Sequence, residues 1–187
     1  MRLIAILILC LPCSLSMAAA TPIDEALRAG GVVLLIRHAT APGTGDPPGF
    51  RLDDCATQRN LSAAGRAEAQ AIGARLRGLG LKNAEVLTSQ WCRCRETARL
   101  AFGEARDWPA LNSFFQDPRD KDAQVQQVMV RIAKTRRGDR PLVLVTHQVV
   151  VTAVSGVYPQ SGEVVVVAPA REGGVRVIGS LKPEAGN

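Results

Sequence analysis

Residues 32–40 read Val32-Val33-Leu34-Leu35-Ile36-Arg37-His38-Ala39-Thr40. The first five are apolar and three of these are β-branched, a composition typical of a buried strand in a parallel sheet. Proline and glycine residues between positions 42 and 49 then force a loop. Arg37 and His38 are therefore predicted at the carboxyl end of a buried strand, where open α/β sheets bind their ligands.

The second histidine occupies the same kind of position. The chain has only two histidines, and His147 follows the apolar run 142–145 and Thr146. A shorter strand pattern at 86–88 leads into Ser89 and a predicted helix that carries Arg93. The carboxyl ends of parallel strands meet at one edge of a sheet. We therefore expect the three strand ends to build one site.

Strand and helix patterns alternate along most of the remaining chain. Helices are predicted over 21–30, 62–79, 120–137 and 149–157, and strands over 164–167 and 175–178, the last two as a hairpin. On the helix that Ser62 caps, the residues expected on the inner face are Ala67, Ala71, Ala74 and Leu76. The segment 107–122 is irregular, and its Phe114-Phe115 pair is expected to form a lid or rim. This order predicts a three-layer α/β sandwich with a mostly parallel central sheet flanked by helices.

Residues 1–20 are predicted to be a secretory signal peptide, which leaves one domain over 21–187. Arg2 precedes an apolar stretch at 3–11, and Ala18-Ala19-Ala20 forms a small-residue cleavage site. The apolar stretch is short for a membrane span. We expect cleavage after Ala20, a periplasmic or secreted location and no stable membrane insertion, with an uncleaved anchor as the alternative.

Export leaves three cysteines, Cys55, Cys92 and Cys94. An oxidising compartment permits a disulfide. Cys92 and Cys94 are two positions apart on a predicted helix and face different ways, so Cys55 is expected to pair with one of them. A zinc site is the rival interpretation, and it is weak because the mature chain has no CxxC spacing and few histidines.

The charge and the clustered residues indicate the type of ligand. The net charge is +6, which favours an anionic partner, while an aromatic content of 4% gives no basis for a nucleic-acid stacking platform. Two arginines and two imidazoles around one spot suit a phosphate group. A neutral imidazole is a nucleophile, and a second can stabilise developing charge. This set requires no metal or cofactor. Arg95 is a further anion-binding candidate, with a solvated surface position as its alternative.

Four segments, in order and at suitable spacing, carry a family resemblance. They are Arg37-His38-Ala39, Leu61-Ser62-Ala63-Ala64-Gly65-Arg66-Ala67-Glu68-Ala69, the set Ser89, Arg93, Thr97 and Ala98, and Thr146-His147-Gln148. Together they resemble the motifs of the histidine phosphatase superfamily, whose fold is phosphoglycerate-mutase-like, over about residues 32–167. Ala39 and Gln148 stand where that family has glycine.

The resemblance implies roles for individual residues. His38 would be the nucleophile that becomes phosphohistidine, and Arg37, Arg93 and His147 would hold the phosphoryl group. Many members also have a carboxylate proton donor. Asp117 is the first candidate here by position, with a turn residue as its alternative, and Glu163 is the second. Some members, including phosphohistidine phosphatases, lack an obvious donor.

The leading hypothesis is a periplasmic, metal-independent phosphomonoesterase acting on a phosphorylated small molecule or glycolipid. The layout is similar to that of exported lipopolysaccharide-core heptose-phosphate phosphatases. A phosphoprotein or phosphohistidine phosphatase is one alternative, and a non-catalytic phospho-ligand-binding protein is another. Nucleic acid is not an expected partner.

Overall fold

The computed structural model of the protein describes residues 21–183. The predicted signal peptide, residues 1–20, lies outside the described residues. Within 21–183 the chain forms five α-helices, which span Pro22–Ala29 (α1), Ala63–Gly78 (α2), Cys92–Phe102 (α3), Lys121–Ala133 (α4) and Gln148–Ser155 (α5). Each of these helices falls short of the length and apolar character that crossing a membrane requires.

Six strands of the described chain form one mixed sheet. They span Val33–Arg37 (β1), Glu85–Thr88 (β2), Arg106–Asp107 (β3), Leu142–Thr146 (β4), Val164–Pro169 (β5) and Val175–Leu181 (β6). The spatial order is β3-β2-β4-β1-β5-β6. The first four strands in this order are parallel, whereas β5 runs antiparallel to β1 and forms a hairpin with β6. The predicted sandwich with a mostly parallel sheet is confirmed.

The sheet separates two apolar clusters, because alternate side chains of a strand point to opposite faces. Leu34 and Ile36 of β1 belong to one cluster, which also contains side chains of α1, α2 and α3. Val33 and Leu35 belong to the other, which contains side chains of α4 and α5. The central strands are therefore buried on both faces, which explains their continuous apolar composition.

The predicted helix boundaries hold at most ends. Thr21 caps α1 with a capping box, and the Ser62 hydroxyl accepts a hydrogen bond from the backbone nitrogen of Gly65 at 2.9 Å. The exception is α4, which ends at Ala133, four residues before the predicted end at 137.

The predicted inner face of α2 is wrong for three of its four residues. Ala67, Ala71 and Ala74 are exposed, and only Leu76 is buried. The buried side instead contains two glycines. A Cβ atom on Gly65 would lie 2.0 Å from the carbonyl oxygen of Thr40, and one on Gly73 would lie 2.1 Å from that of Ala101. The helix packs by backbone contact at these two points, a requirement that hydrophobic periodicity does not detect.

Candidate active site

Both histidines lie at the same edge of the sheet. β1 and β4 are adjacent and parallel, with Arg37 paired in register with Thr146, so His38 and His147 leave neighbouring strands at the same level. Their ring centroids are 5.5 Å apart. β2, on the other side of β4, leads into α3 and places Arg93 beside them.

The four residues assigned by sequence to phosphate chemistry line one small cavity. Its volume is about 170 Å³, and Arg37, His38, Arg93 and His147 are in its wall. A larger cavity, of about 760 Å³, runs along the exposed face of α2 and contains none of these four. The small cavity is therefore the candidate active site.

His38 is held as a neutral imidazole of one tautomer. Only 3% of the residue is exposed, and its Nδ1–H donates to the carbonyl oxygen of Ala39 at 2.8 Å. Burial, reinforced by the positive charge of Arg93, lowers the pKa of His38 to about 3. The lone pair therefore resides on Nε2, which accepts a hydrogen bond from Arg93 Nε at 3.2 Å. A neutral nitrogen with a directed lone pair is what a nucleophilic histidine needs.

His147 is also buried and neutral. Burial, followed by the proximity of the His38 imidazole and the positive charge of Arg93, holds the pKa of His147 well below its usual value. Its Nε2 lies 2.9 Å from the hydroxyl oxygen of Ser89, which in turn donates to Asn112 Oδ1 at 3.2 Å. Nε2 is therefore the protonated nitrogen, and Nδ1 accepts from Arg93 Nη2 at 3.4 Å. In the other tautomer, reached when Nε2 loses its proton to solvent and Nδ1 gains one, the Ser89 hydroxyl would donate to Nε2 and Nδ1–H could donate to a phosphoryl oxygen.

Arg37 lines this cavity, and one of its donors is buried and unpaired. Its Nη1 donates to the carbonyl oxygen of Pro159 at 3.0 Å. Its Nε is buried without a hydrogen-bond partner among the described residues. A buried unpaired donor costs free energy unless a ligand satisfies it. Since Arg37 is in the cavity wall, its guanidinium is available to an anion bound beside His38.

Two residues of the long loop between β1 and α2, here called the 41–60 loop, complete the cavity. Neither of them was assigned a role from the sequence. Asp46 forms a buried ion pair with Arg93, with a shortest contact of 2.8 Å between Asp46 Oδ1 and Arg93 Nη1. Arg59 donates from Nε to the carbonyl oxygen of Gly45 at 2.8 Å and from Nη1 to that of Ala41. The length of the loop was the available signal, but a single Asp between Gly45 and Pro47 has the pattern of an ordinary turn.

The structure does not bring the two candidate proton donors into the cavity. Asp117 lies outside it, exposed, and hydrogen bonds from Arg119 lower its pKa to about 2, which keeps it ionised. Glu163 is buried outside the cavity and accepts from the backbone nitrogen of Gln160 at 2.9 Å. Neither placement supports a role as the acid.

The structure confirms only part of the predictions for the Phe114-Phe115 pair and for Arg95. Phe115, 56% exposed, lines the mouth of the cavity together with Tyr158, whereas Phe114 is buried in the core. Arg95 is bonded to Asp107, with 2.9 Å between Arg95 Nε and Asp107 Oδ1, and lies outside the cavity. The rim expectation therefore holds for Phe115, and Arg95 has a surface ion pair in place of an anion site.

Cys55 forms a disulfide with Cys92, the first residue of α3. Of the two pairings that the sequence left open, the structure has the one that ties the 41–60 loop to the helix of Arg93. Cys94 is free and buried, and burial raises the pKa of its thiol to about 12. Within residues 21–183, no three or more His, Cys, Asp and Glu side chains are grouped as a metal site.

Comparison with known proteins agrees with this geometry. The model of the histidine phosphatase superfamily (branch 1) matches residues 33–114. No curated protein matches the sequence.

Solved structures share the fold at low sequence identity. The protein histidine phosphatase SixA complexed with tungstate is 17% identical, with a TM-score of 0.55 over 81% of this chain and 97% of that chain. A protein described as SixA from Agrobacterium tumefaciens is 22% identical, with a TM-score of 0.56 over 82% and 99%. The alpha-ribazole phosphatase from Shigella flexneri is 17% identical, with a TM-score of 0.55 over 83% and 100%.

The sequence match and the shared fold confirm the resemblance to the histidine phosphatase superfamily. Together with the paired imidazoles and arginines of the cavity, they support a phosphatase of the histidine phosphatase type.

Proposed function

We propose that the chain is an exported phosphomonoesterase that forms a phosphohistidine on His38 and needs no metal ion. The observation that carries this proposal is the state of His38. Its Nδ1–H is fixed on the carbonyl oxygen of Ala39, and its Nε2 lone pair lies beside Arg93 in a cavity lined by Arg37 and His147.

In the first step, Nε2 of His38 attacks the phosphorus atom. The P–N bond forms as the ester P–O bond breaks, and the leaving oxygen takes the electron pair and a proton from solvent. Arg93 Nε, which donates to Nε2 in the free protein, then donates to a phosphoryl oxygen, as does the guanidinium of Arg37 in the cavity wall. In the second step, water attacks phosphorus, the P–N bond breaks, and inorganic phosphate leaves a neutral His38.

The cavity favours substrates with an easily released leaving group. Among the described residues, Asp46 is the one carboxylate in its wall, and it is ion-paired with Arg93. No free carboxylic acid in the described wall of the cavity is thus in place to protonate a poor leaving group. This same observation, with the similarity of the fold to SixA, supports a phosphohistidine phosphatase as the second candidate. A glycolipid phosphate on an anionic surface would suit the net charge of +6.

The chelator test addresses the phosphomonoesterase directly. We expect the mature chain, from Thr21 onward, to hydrolyse an aryl phosphate at a rate that EDTA leaves unchanged. Alkyl phosphates should react at least about tenfold more slowly, since their leaving groups need protonation. A phosphohistidine peptide that is hydrolysed far faster than the aryl ester would favour the second candidate. Binding of inorganic phosphate without any turnover would contradict both and indicate a phospho-ligand-binding protein.

Export is supported by two independent features. Residues 1–20 have the composition of a signal peptide, and Cys55 and Cys92 form a disulfide, a bond found mainly in proteins of oxidising compartments. Expression of the full chain in a Gram-negative host should yield periplasmic protein whose first residue is Thr21, as read by intact mass. Protein that retains residues 1–20 in the membrane fraction would instead support the uncleaved anchor.

A further inference from the structure

The carboxylate of Asp46 lies in a pocket made entirely of hydrogen-bond donors. Oδ1 accepts from Arg93 Nη1 at 2.8 Å and from the backbone nitrogen of Arg59 at 3.0 Å. Oδ2 accepts from Arg93 Nη2 at 3.1 Å and from Trp91 Nε1 at 3.0 Å. Only 2% of the side chain is exposed. Asp46 is therefore held in a fixed position. Only an ionised carboxylate can accept hydrogen bonds from all of these donors.

The guanidinium of Arg93 uses two different edges. The Nη1–Nη2 edge faces Asp46. The Nε–Nη2 edge faces the two imidazoles, with Nε 3.2 Å from His38 Nε2 and Nη2 3.4 Å from His147 Nδ1. Because a guanidinium is planar, holding one edge fixes the direction of the other.

We propose that Asp46 is a positioning residue, which holds Arg93 so that its Nε–H is directed at the reacting nitrogen of His38. This inference rests on the proposed function, because it assigns Arg93 Nε–H to the phosphoryl group that His38 accepts. The carboxylate of Asp46 has its hydrogen bonds with Arg93, Arg59 and Trp91 and none with either imidazole.

An acid or base role for Asp46 does not fit its surroundings. Burial alone would raise the pKa of Asp46, but the hydrogen bonds from Arg93, Arg59 and Trp91 outweigh burial and leave the pKa lowered. Both carboxylate oxygens are already engaged with donors. A group in this state holds its neighbours in place and does not exchange protons near neutral pH.

The 41–60 loop fixes Asp46 before substrate arrives. Arg59 donates to the carbonyl oxygen of Gly45, the residue before Asp46. Gln58 Oε1 accepts from the backbone nitrogen of Cys92 at 2.9 Å, and the Cys55–Cys92 disulfide ties the same loop to the start of α3. The carboxylate and the helix of Arg93 are therefore held to each other at several points, which is the preorganisation that precise orientation of a catalytic group requires.

The test compares Asp46→Asn with the wild type on an aryl phosphate. Asparagine has nearly the same shape, but it presents an NH2 group to a pocket of donors, so Arg93 loses its bidentate partner. We expect kcat to fall by about 10–100-fold, the scale of a misplaced catalytic group. KM should change by less than about threefold, because the variant keeps every cation of the cavity. Asp46→Glu, which retains the carboxylate, should recover part of kcat.

Asp53→Asn is the matched control. Asp53 lies on the same loop, has 84% of its side chain exposed and pairs with Arg51 on the surface. This variant should retain wild-type kcat and KM. An unchanged kcat in Asp46→Asn, or a loss confined to KM, would overturn the positioning role while leaving the phosphomonoesterase intact.

Nitrogen-15 NMR gives a readout that does not depend on turnover. The chain has only two histidines, so tag-free protein gives four imidazole nitrogen signals. In Asp46→Asn, the His38 Nε2 signal should move downfield, toward the chemical shift of an unprotonated imidazole nitrogen that accepts no hydrogen bond. The Nδ1 signal should keep the chemical shift of a protonated nitrogen. An unmoved Nε2 signal would refute the proposal even if the natural substrate were not a phosphomonoester.

Discussion

Replacing His38 with alanine is expected to reduce kcat on an aryl phosphate by about 10³-fold or more, the range found when a covalent nucleophile is removed. The loss follows from the role of Nε2 as the atom that forms the P–N bond. Inorganic phosphate should still bind to the variant, since Arg37, Arg93 and His147 remain. Turnover and phosphate affinity, measured on the same preparation, therefore separate chemistry from binding.

His38→Asn is the control for folding in this experiment. The asparagine amide can donate to the carbonyl oxygen of Ala39, as His38 Nδ1 does, but it has no nucleophilic lone pair. It should be as inactive as His38→Ala while remaining closer to wild type in stability. Rapid quenching of wild-type enzyme and substrate into alkaline denaturant should trap a phosphoryl group on the protein, which later acid treatment releases and which both variants lack. Substantial activity in either variant would exclude His38 as the nucleophile.

The pH dependence of stability gives an independent check on the buried state of His38. Its pKa is about 3 in the folded protein, against about 6.5 in an unfolded chain. Between these values the unfolded chain binds more protons, so the free energy of unfolding falls as the pH falls from 6.5 toward 3. His38→Asn should show a shallower fall over that range. His147, whose pKa is lowered in the same direction, and carboxylates with a lowered pKa, such as Asp46, contribute to the remaining slope.

Local patterns predicted the elements that position the catalytic histidines. The apolar runs before His38 and His147 are β1 and β4, and their parallel pairing follows from the α/β alternation. These signals are strong because each strand is buried on both faces. The position of Arg93 could also be predicted, because the strand pattern of β2 ends shortly before α3 begins.

Long-range contacts were not readable in the same way. The partner of Arg93 lies 47 positions earlier, in a loop whose glycines and prolines indicate a turn and no more. Whether Cys55 pairs with Cys92 or Cys94 depends on the rotation of α3 about its axis, which spacing alone leaves open. The glycine contacts of α2 likewise depend on which backbone lies opposite, so Ala67, Ala71 and Ala74 were placed on the wrong side.

Removal of the disulfide is expected to have the largest effect on stability. The Cys55→Ser, Cys92→Ser double variant opens a link that spans 37 positions. Loop-closure entropy for that length corresponds to about 4 kcal/mol in the free energy of unfolding, measured by denaturant titration. The relief of a constraint on the unfolded chain is the main cause, so the loss should appear even if the folded structure is unchanged.

The same variant should also affect the active site, because the disulfide joins the 41–60 loop to the residue before Arg93. Without this link, Asp46 and Arg93 can shift relative to each other. We expect kcat to fall by about tenfold, which is less than the roughly 100-fold loss caused by a misplacement of 1 Å. Reductant applied to wild type should reproduce both changes. Reductant applied to the double variant should do nothing, since the remaining Cys94 is buried and unpaired.

Equal stability of wild type and double variant would show that the Cys55–Cys92 bond does not constrain the chain in solution. A lower stability with unchanged kcat would show that the other contacts of the loop, among them those of Gln58 and Arg59, suffice to hold Asp46 on Arg93.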